Sequence, residues 1–123
     1  MQYLLLIYDR ESAWKEMPEG RRHSMFAEYG KLTEDIKQSG HYVGGNALQG
    51  IDTATSVRVR DGKTSITDGP FAETREQLGG YYLIEAKDLD EATAIAARIP
   101  SAQIGTIEVR PIMTYTAQVE RAK

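Results

Sequence analysis

The sequence predicts an α+β domain on the ferredoxin-like plan: strand, helix, strand, strand, helix, strand, with a β-hairpin inserted between the second and third core strands. Three observations carry this. Met25, Tyr29, Leu32 and Ile36 recur at helical spacing, and so do Leu89, Ala92, Ile95, Ala96 and Ile99. Short apolar runs with strand character stand before, between and after these two stretches. Asp61-Gly62 lies between two alternating runs, the strongest short hairpin signal.

The first strand is the run Tyr3 to Tyr8. It does not alternate: Tyr3, Leu5 and Ile7 on one face and Leu4, Leu6 and Tyr8 on the other are all apolar or aromatic. A sheet covered on one face alone should read apolar, polar, apolar. Both faces therefore need cover, and two helices can supply only one. A twofold dimer packing two sheets face to face answers the difficulty, with an interface on the order of 2,000 Å².

Asp9 to Glu19 reads as polar and irregular. Trp14 within it either caps a pocket or folds back onto the edge of the core. The first helix opens at or just after Pro18, where a missing amide donor is harmless, and stops at Gly40. A short second strand centres on Tyr42-Val43. The hairpin follows, Ala54 to Arg60 and Lys63 to Thr67, with Val57 and Val59 expected inward. Gly80 to Ala86 forms the third core strand. Asp88 caps the second helix, with Glu91 three residues on, and Pro100 ends it. Thr106 to Arg110, closed by Pro111, is the last strand. Residues beyond Thr116 carry no packing signal and are expected to fray.

At 123 residues the chain suits one domain with one core. A hydrophobic fraction of 41% with 27% charged residues is that of a soluble globular protein. A net charge of −3 argues against nucleic acid as a partner, which needs a basic face. The absence of cysteine excludes disulfides, thiolate catalysis and Cys-ligated metals. No run has the length of a membrane span, and the short apolar opening lacks a basic leader. The expectation is a cytoplasmic protein with no membrane partner.

The chemistry concentrates in the connection from Asp68 to Gly80. Asp68-Gly69-Pro70 is a strong reversal, and Gly79-Gly80 frees the backbone at the far end. Asp68, Glu73 and Glu76 supply carboxylates and Arg75 a guanidinium. They form either an acid/base pair with an orienting arginine or a capped turn with solvated ion pairs. Phe71 either anchors this loop to the core or lines a pocket; anchoring predicts burial. Arg110 on the last strand needs a carboxylate if buried, with Asp9 and Glu85 as candidates. No phosphate loop, nucleophile elbow, zinc motif or dinucleotide fingerprint is present, so neither metal nor cofactor is expected.

Asp68-Gly69-Pro70-Phe71-Ala72-Glu73-Thr74-Arg75-Glu76, followed by Gly79-Gly80-Tyr81-Tyr82, resembles the signature of the DGPF-domain proteins, a branch of the YCII-related family. Glu108-Val109-Arg110-Pro111 and the Leu4 to Tyr8 opening resemble the family too, so the likeness spans nearly the whole chain. It implies one domain over residues 1–116 with a flexible tail over 117–123, a ferredoxin-like fold, pairing as a dimeric α/β barrel and no settled activity. The wider family has a His/Asp pair as its site. Here His23 opens the first helix, whereas the family histidine lies further along, nearer Tyr29, so the pair is not carried over. The roles of His23 and His41 stay open.

Two functions follow as expectations. The first is a small-molecule-binding protein or enzyme with its cleft beside the Asp-Gly-Pro-Phe loop. There Asp68 or Glu73 is the acid/base, Arg75 or Arg110 holds an anionic group, Tyr81 walls the pocket, and Asp9 and Phe71 complete the expected ligand-binding set. The second is a non-catalytic accessory or regulatory domain, since DGPF-type proteins are often associated with extracytoplasmic-function sigma factors.

Overall fold

A computed structural model describes residues 1–114; the expected tail over 117–123 lies outside the described residues. The core is a four-stranded antiparallel sheet in the order β2-β5-β1-β6, formed by β1 (Gln2–Asp9), β2 (Tyr42–Ala47), β5 (Gln77–Glu85) and β6 (Thr106–Pro111). A separate two-stranded sheet, β3 (Thr55–Arg60) and β4 (Lys63–Asp68), is the inserted hairpin. The helices are α1 (Glu11–Glu16), α2 (Glu19–Gln38) and α3 (Leu89–Ala97). This is the predicted α+β arrangement, with one helix more than expected: α1 occupies the stretch read as irregular. It buries no residue and lacks a side-chain cap, so periodicity offers no trace of it.

β1 sits in the middle and organises the rest. Tyr3, Leu5, Ile7 and Asp9 are buried on the face that meets α2 and α3, while Leu4, Leu6 and Tyr8 are half-buried on the other. On the helix face, Leu5 and Ile84 are fully buried, and Tyr82, Leu32, Ile36, Ala92, Ile95 and Ile99 close around them. Burying each large apolar side chain contributes about 1.5–3 kcal/mol, which is what holds the helices to the sheet. The caps fall where the sequence puts them. Gly40 has φ 80° after the last turn of α2. Asp88 accepts from the Glu91 amide at 2.9 Å, and Glu91 reaches back to the Lys87 amide at 3.1 Å.

The hairpin departs from expectation. Asp61 (φ 52°) and Gly62 (φ 74°) form its turn, and Gly69 N–H to Ala54 O at 2.7 Å closes its base. Yet among the described residues β3 and β4 pair only with each other, and all their residues except Ser56 are exposed. Val57 and Val59, read as inward, are 60% and 58% exposed, and Ile66, paired with Val57, is 69% exposed. The same stand-off explains Phe71, expected to anchor its loop but 80% exposed, since no core lies beneath the ring.

Candidate functional site

The helix face of the sheet does not fill completely. Between α1, α2 and the β2–β5 side of the sheet lies a cavity of about 830 Å³. Ile7, Tyr82 and the glycines 45, 79 and 80 line it from the sheet, and Trp14, Phe26, Tyr29 and Thr33 from the helices. The loop after β2, through Gly50, closes another side.

Asp9 is the buried carboxylate of the cavity lining. Strand alternation carries it to the same face as Tyr3, Leu5 and Ile7, and it is only 6% exposed. The chain then turns into α1, which brings Trp14 back so that its indole N–H donates to Asp9 Oδ2 at 2.8 Å. A carboxylate offers roughly four acceptor sites. Oδ1 accepts no hydrogen bond from the described residues. Gly79 packs beside this oxygen: a Cβ there would stand 3.7 Å from it, an ordinary contact. Gly105 fixes the other side of the turn: a Cβ there would overlap Tyr8 O and stand 2.8 Å from Asp9 Cβ. Oδ1 is not enclosed, so its spare acceptor sites open onto the cavity, where water or a ligand hydroxyl can donate to them.

Hydroxyls form a second wall. Tyr29 Oη lies 2.5 Å from Ser101 Oγ, and Ser101 is 1% exposed. Burial pushes the Tyr29 phenol up to about 12; its bond to Ser101 works against this, and the negative charge of Asp9 adds to it. Tyr29 therefore stays protonated and can donate. Thr33 Oγ1 donates to Tyr29 O at 2.8 Å, so Tyr82 Oη, 2.7 Å away, donates to Thr33. Burial also pushes the Tyr82 phenol up. The rim is stapled by Glu11, whose Oε1 accepts from the Ile51 amide at 2.7 Å and whose own amide donates to Gln77 Oε1 at 3.1 Å.

Of the residues the sequence singles out, the cavity gathers Asp9, Trp14, Gly79, Gly80 and Tyr81. Tyr81 alternates with the buried Tyr82, so its ring turns to the opposite face, where Oη accepts from Asn46 Nδ2 at 2.9 Å. Asp68, Phe71, Glu73 and Arg75 are exposed and do not line the cavity. Gln77, at the end of their loop, holds Glu11 at the rim and donates to Thr74 O at 2.8 Å. Arg110 is exposed on β6, with Nε 3.0 Å from Glu108 Oε1. Its carboxylate is thus neither Asp9, which Trp14 holds, nor Glu85, which pairs with the Met1 ammonium at 2.8 Å. Sequence reasoning misses Tyr29, Ser101, Thr33 and Tyr82 as site residues. Tyr29 left one signal, a polar tip in an otherwise aliphatic stripe; Ser101 left none.

Outside the cavity, His23 is exposed, and His41 ties two helices. Its Nε2 lies 3.0 Å from Glu91 Oε1 and its Nδ1 2.6 Å from Ser39 Oγ. Among the described residues no three His, Asp or Glu side chains converge as a metal site would. No described helix is long and apolar enough to cross a membrane.

Fold and cavity together define a small ferredoxin-like α+β domain with one recessed aromatic and hydroxyl-lined site. The chain belongs to the YCII-related family, whose domain matches residues 1–116. It is 32% identical over 117 residues to an uncharacterised protein of Rhizobium meliloti (strain 1021), covering 94% of each chain. In structure it is similar to 5-chloro-2-hydroxyhydroquinone dehydrochlorinase of Burkholderia phenoliruptrix AC1100, solved in complex with 2,5-dihydroxybenzoquinone. That likeness has a TM-score of 0.56 at 16% identity and covers 92% of this chain and 94% of the other. At that identity it is a likeness of fold.

Proposed function

We propose that this chain binds a small hydroxylated cyclic compound in the Asp9 cavity and uses Asp9 as a proton acceptor. The observation that carries this is the buried Asp9 carboxylate, oriented by Trp14 through one oxygen and free at the other. A ligand hydroxyl donating to Oδ1 fills the vacant acceptor site, and the same geometry suits removal of a proton from an activated ring position. Tyr29, protonated, offers its hydroxyl to a ligand oxygen on the opposite wall, while Tyr82, whose proton goes to Thr33, can only accept from the ligand. The fold-level neighbour binds a dihydroxyquinone, which agrees with this chemistry by analogy only. Asp68 and Glu73 then serve the exposed loop and not the reaction.

The test is a thermal-shift panel of small phenols, quinols and 2,5-dihydroxybenzoquinone. At least one should raise the wild-type melting temperature by several degrees and leave Asp9→Asn unmoved. Equal shifts in both proteins would exclude Asp9 from the site.

The sheet face away from the helices supports a homodimer. Leu4, Leu6, Tyr8 and Leu83 are half-buried there, and Glu108 Oε1 is enclosed without a hydrogen bond although Arg110 stands near it. A second copy covering this face, as in a dimeric α/β barrel, would remove the apolar surface from water.

A second reading has its own support. The hairpin displays Val57, Val59 and Ile66, with Phe71 beside its base, all exposed. An accessory domain of a sigma-factor system would dock through this surface. Val57→Lys with Ile66→Lys should then abolish co-purification with an extracytoplasmic-function sigma factor; an unchanged complex would remove this reading.

A further inference from the structure

We infer that the cavity selects a ring-bearing monoanion, with a carboxylate held by Arg22 and Lys15 at one end and a hydroxyl directed at Asp9 at the other. This rests on the cavity reading above and adds the charge and orientation of the ligand.

Charge accounting at the cavity motivates it. Two carboxylates and two cations line the space, and they do not pair. Asp9 is held by the Trp14 indole, and Glu11 by the Ile51 amide. Neither Lys15 nor Arg22 has a carboxylate within 4.0 Å among the described residues, whose ion pairs lie elsewhere. Among the described residues Arg22 Nη2 meets only two backbone carbonyls, Met17 O at 3.3 Å and Lys15 O at 3.5 Å. A guanidinium carries five N–H donors in a fork that matches a carboxylate, so most of this one is uncommitted.

The place for a ring adjoins these cations. Trp14 precedes Lys15 on α1, and Phe26 lies one turn beyond Arg22 on α2, the spacing at which side chains share a helix face. Their rings stack at 5.5 Å with 29° between planes. Trp14 therefore joins the two ends of the site, its ring against Phe26 and its N–H on Asp9. A planar ligand lying along it has a cationic end and an acceptor end. A neutral ring would leave the cations unanswered, and a second negative charge would face Asp9.

Three probes separate the parts of this inference: 4-hydroxybenzoate, its neutral counterpart 4-hydroxybenzamide, and benzoate, which lacks the hydroxyl. Titrations follow the amide resonances of Gly79 and Gly80 at low ionic strength. 4-Hydroxybenzoate should bind about tenfold tighter than the amide, as a charge-assisted fork allows. Added salt should narrow that gap. Arg22→Gln with Lys15→Gln should abolish the gap while the amide still binds. Lys15→Gln alone, at an exposed side chain, should narrow it about threefold and carries the test if loss of Arg22 disturbs the helix junction. Benzoate should bind several-fold more weakly than 4-hydroxybenzoate, because nothing then donates to Asp9. Equal affinity for acid and amide, unchanged in both variants, overturns the charge selection and leaves the cavity reading standing. Benzoate binding as well as 4-hydroxybenzoate overturns the orientation. No shift at Gly79 and Gly80 with any probe overturns the inference and the cavity reading together.

Discussion

Trp14 and Asp9, five residues apart across the end of β1, are joined by a 2.8 Å hydrogen bond that sets the direction of a carboxylate only 6% exposed. Trp14→Phe keeps the ring against Phe26 and removes the donor. A hydrogen bond to a charged group is worth about 1.5–3 kcal/mol, so unfolding in urea should show a loss of about 1.5 kcal/mol. Ligand binding should weaken with it. A Trp14→Phe protein as stable as wild type would mean that Asp9 finds another donor.

Tyr29 gives the site a signature at high pH. Its folded value of about 12 exceeds the ordinary 10.0, so the proton-bound form is favoured in the native state. The stabilisation is full below pH 10 and fades as pH rises from 10 toward 12. Absorbance at 295 nm should show phenols ionising late in the native protein, and Tyr29→Phe should reduce the amplitude of that late phase, leaving the part owed to Tyr82. A titration in which all phenols ionise together near pH 10 would contradict the buried Tyr29–Ser101 pair.

Much of the fold is legible because local chemistry agrees with it. The doubly apolar β1, the Asp61-Gly62 turn, the Gly40 stop and the Asp88 cap each follow from a residue type at its position. The site is legible only in part. Asp9 can be named because an apolar strand ends on a carboxylate. Its partners come from α1, α2 and the turn after Pro100, and only packing brings Trp14, Tyr29 and Ser101 to one place. The Asp68–Glu76 loop attracts attention through charge density, but the hairpin that carries it stands off the core sheet. Density of charge says nothing about which way a loop faces.

Gly105 is where the end of β1 and the start of β6 press together. Gly105→Ala would push a methyl into Tyr8 O and Asp9 Cβ. Overpacking of this kind costs about 1–3 kcal/mol, and here it also displaces the carboxylate. Differential unfolding and ligand titration should both register the change. An alanine variant with wild-type stability and binding would show that the turn can yield without moving Asp9.

The proposed pairing of two open sheet faces predicts a dimer mass at micromolar concentration by light scattering. Leu6→Asp places a carboxylate on that face opposite Glu108 and should give a folded monomer. A wild-type protein that is already monomeric would leave Leu4, Leu6, Tyr8 and Leu83 facing solvent and remove the dimer.

The central claim is that a ligand sits beside Asp9 and Trp14, and the single tryptophan of the chain reports on that place directly. Trp14 emission, excited at 295 nm, should fall saturably as 4-hydroxybenzoate is added to the wild-type protein. In Asp9→Asn, folded and with a similar melting temperature, the same titration should require at least about tenfold more ligand. A linear, non-saturating fall that is the same in both proteins would place no ligand in this cavity and would contradict the account.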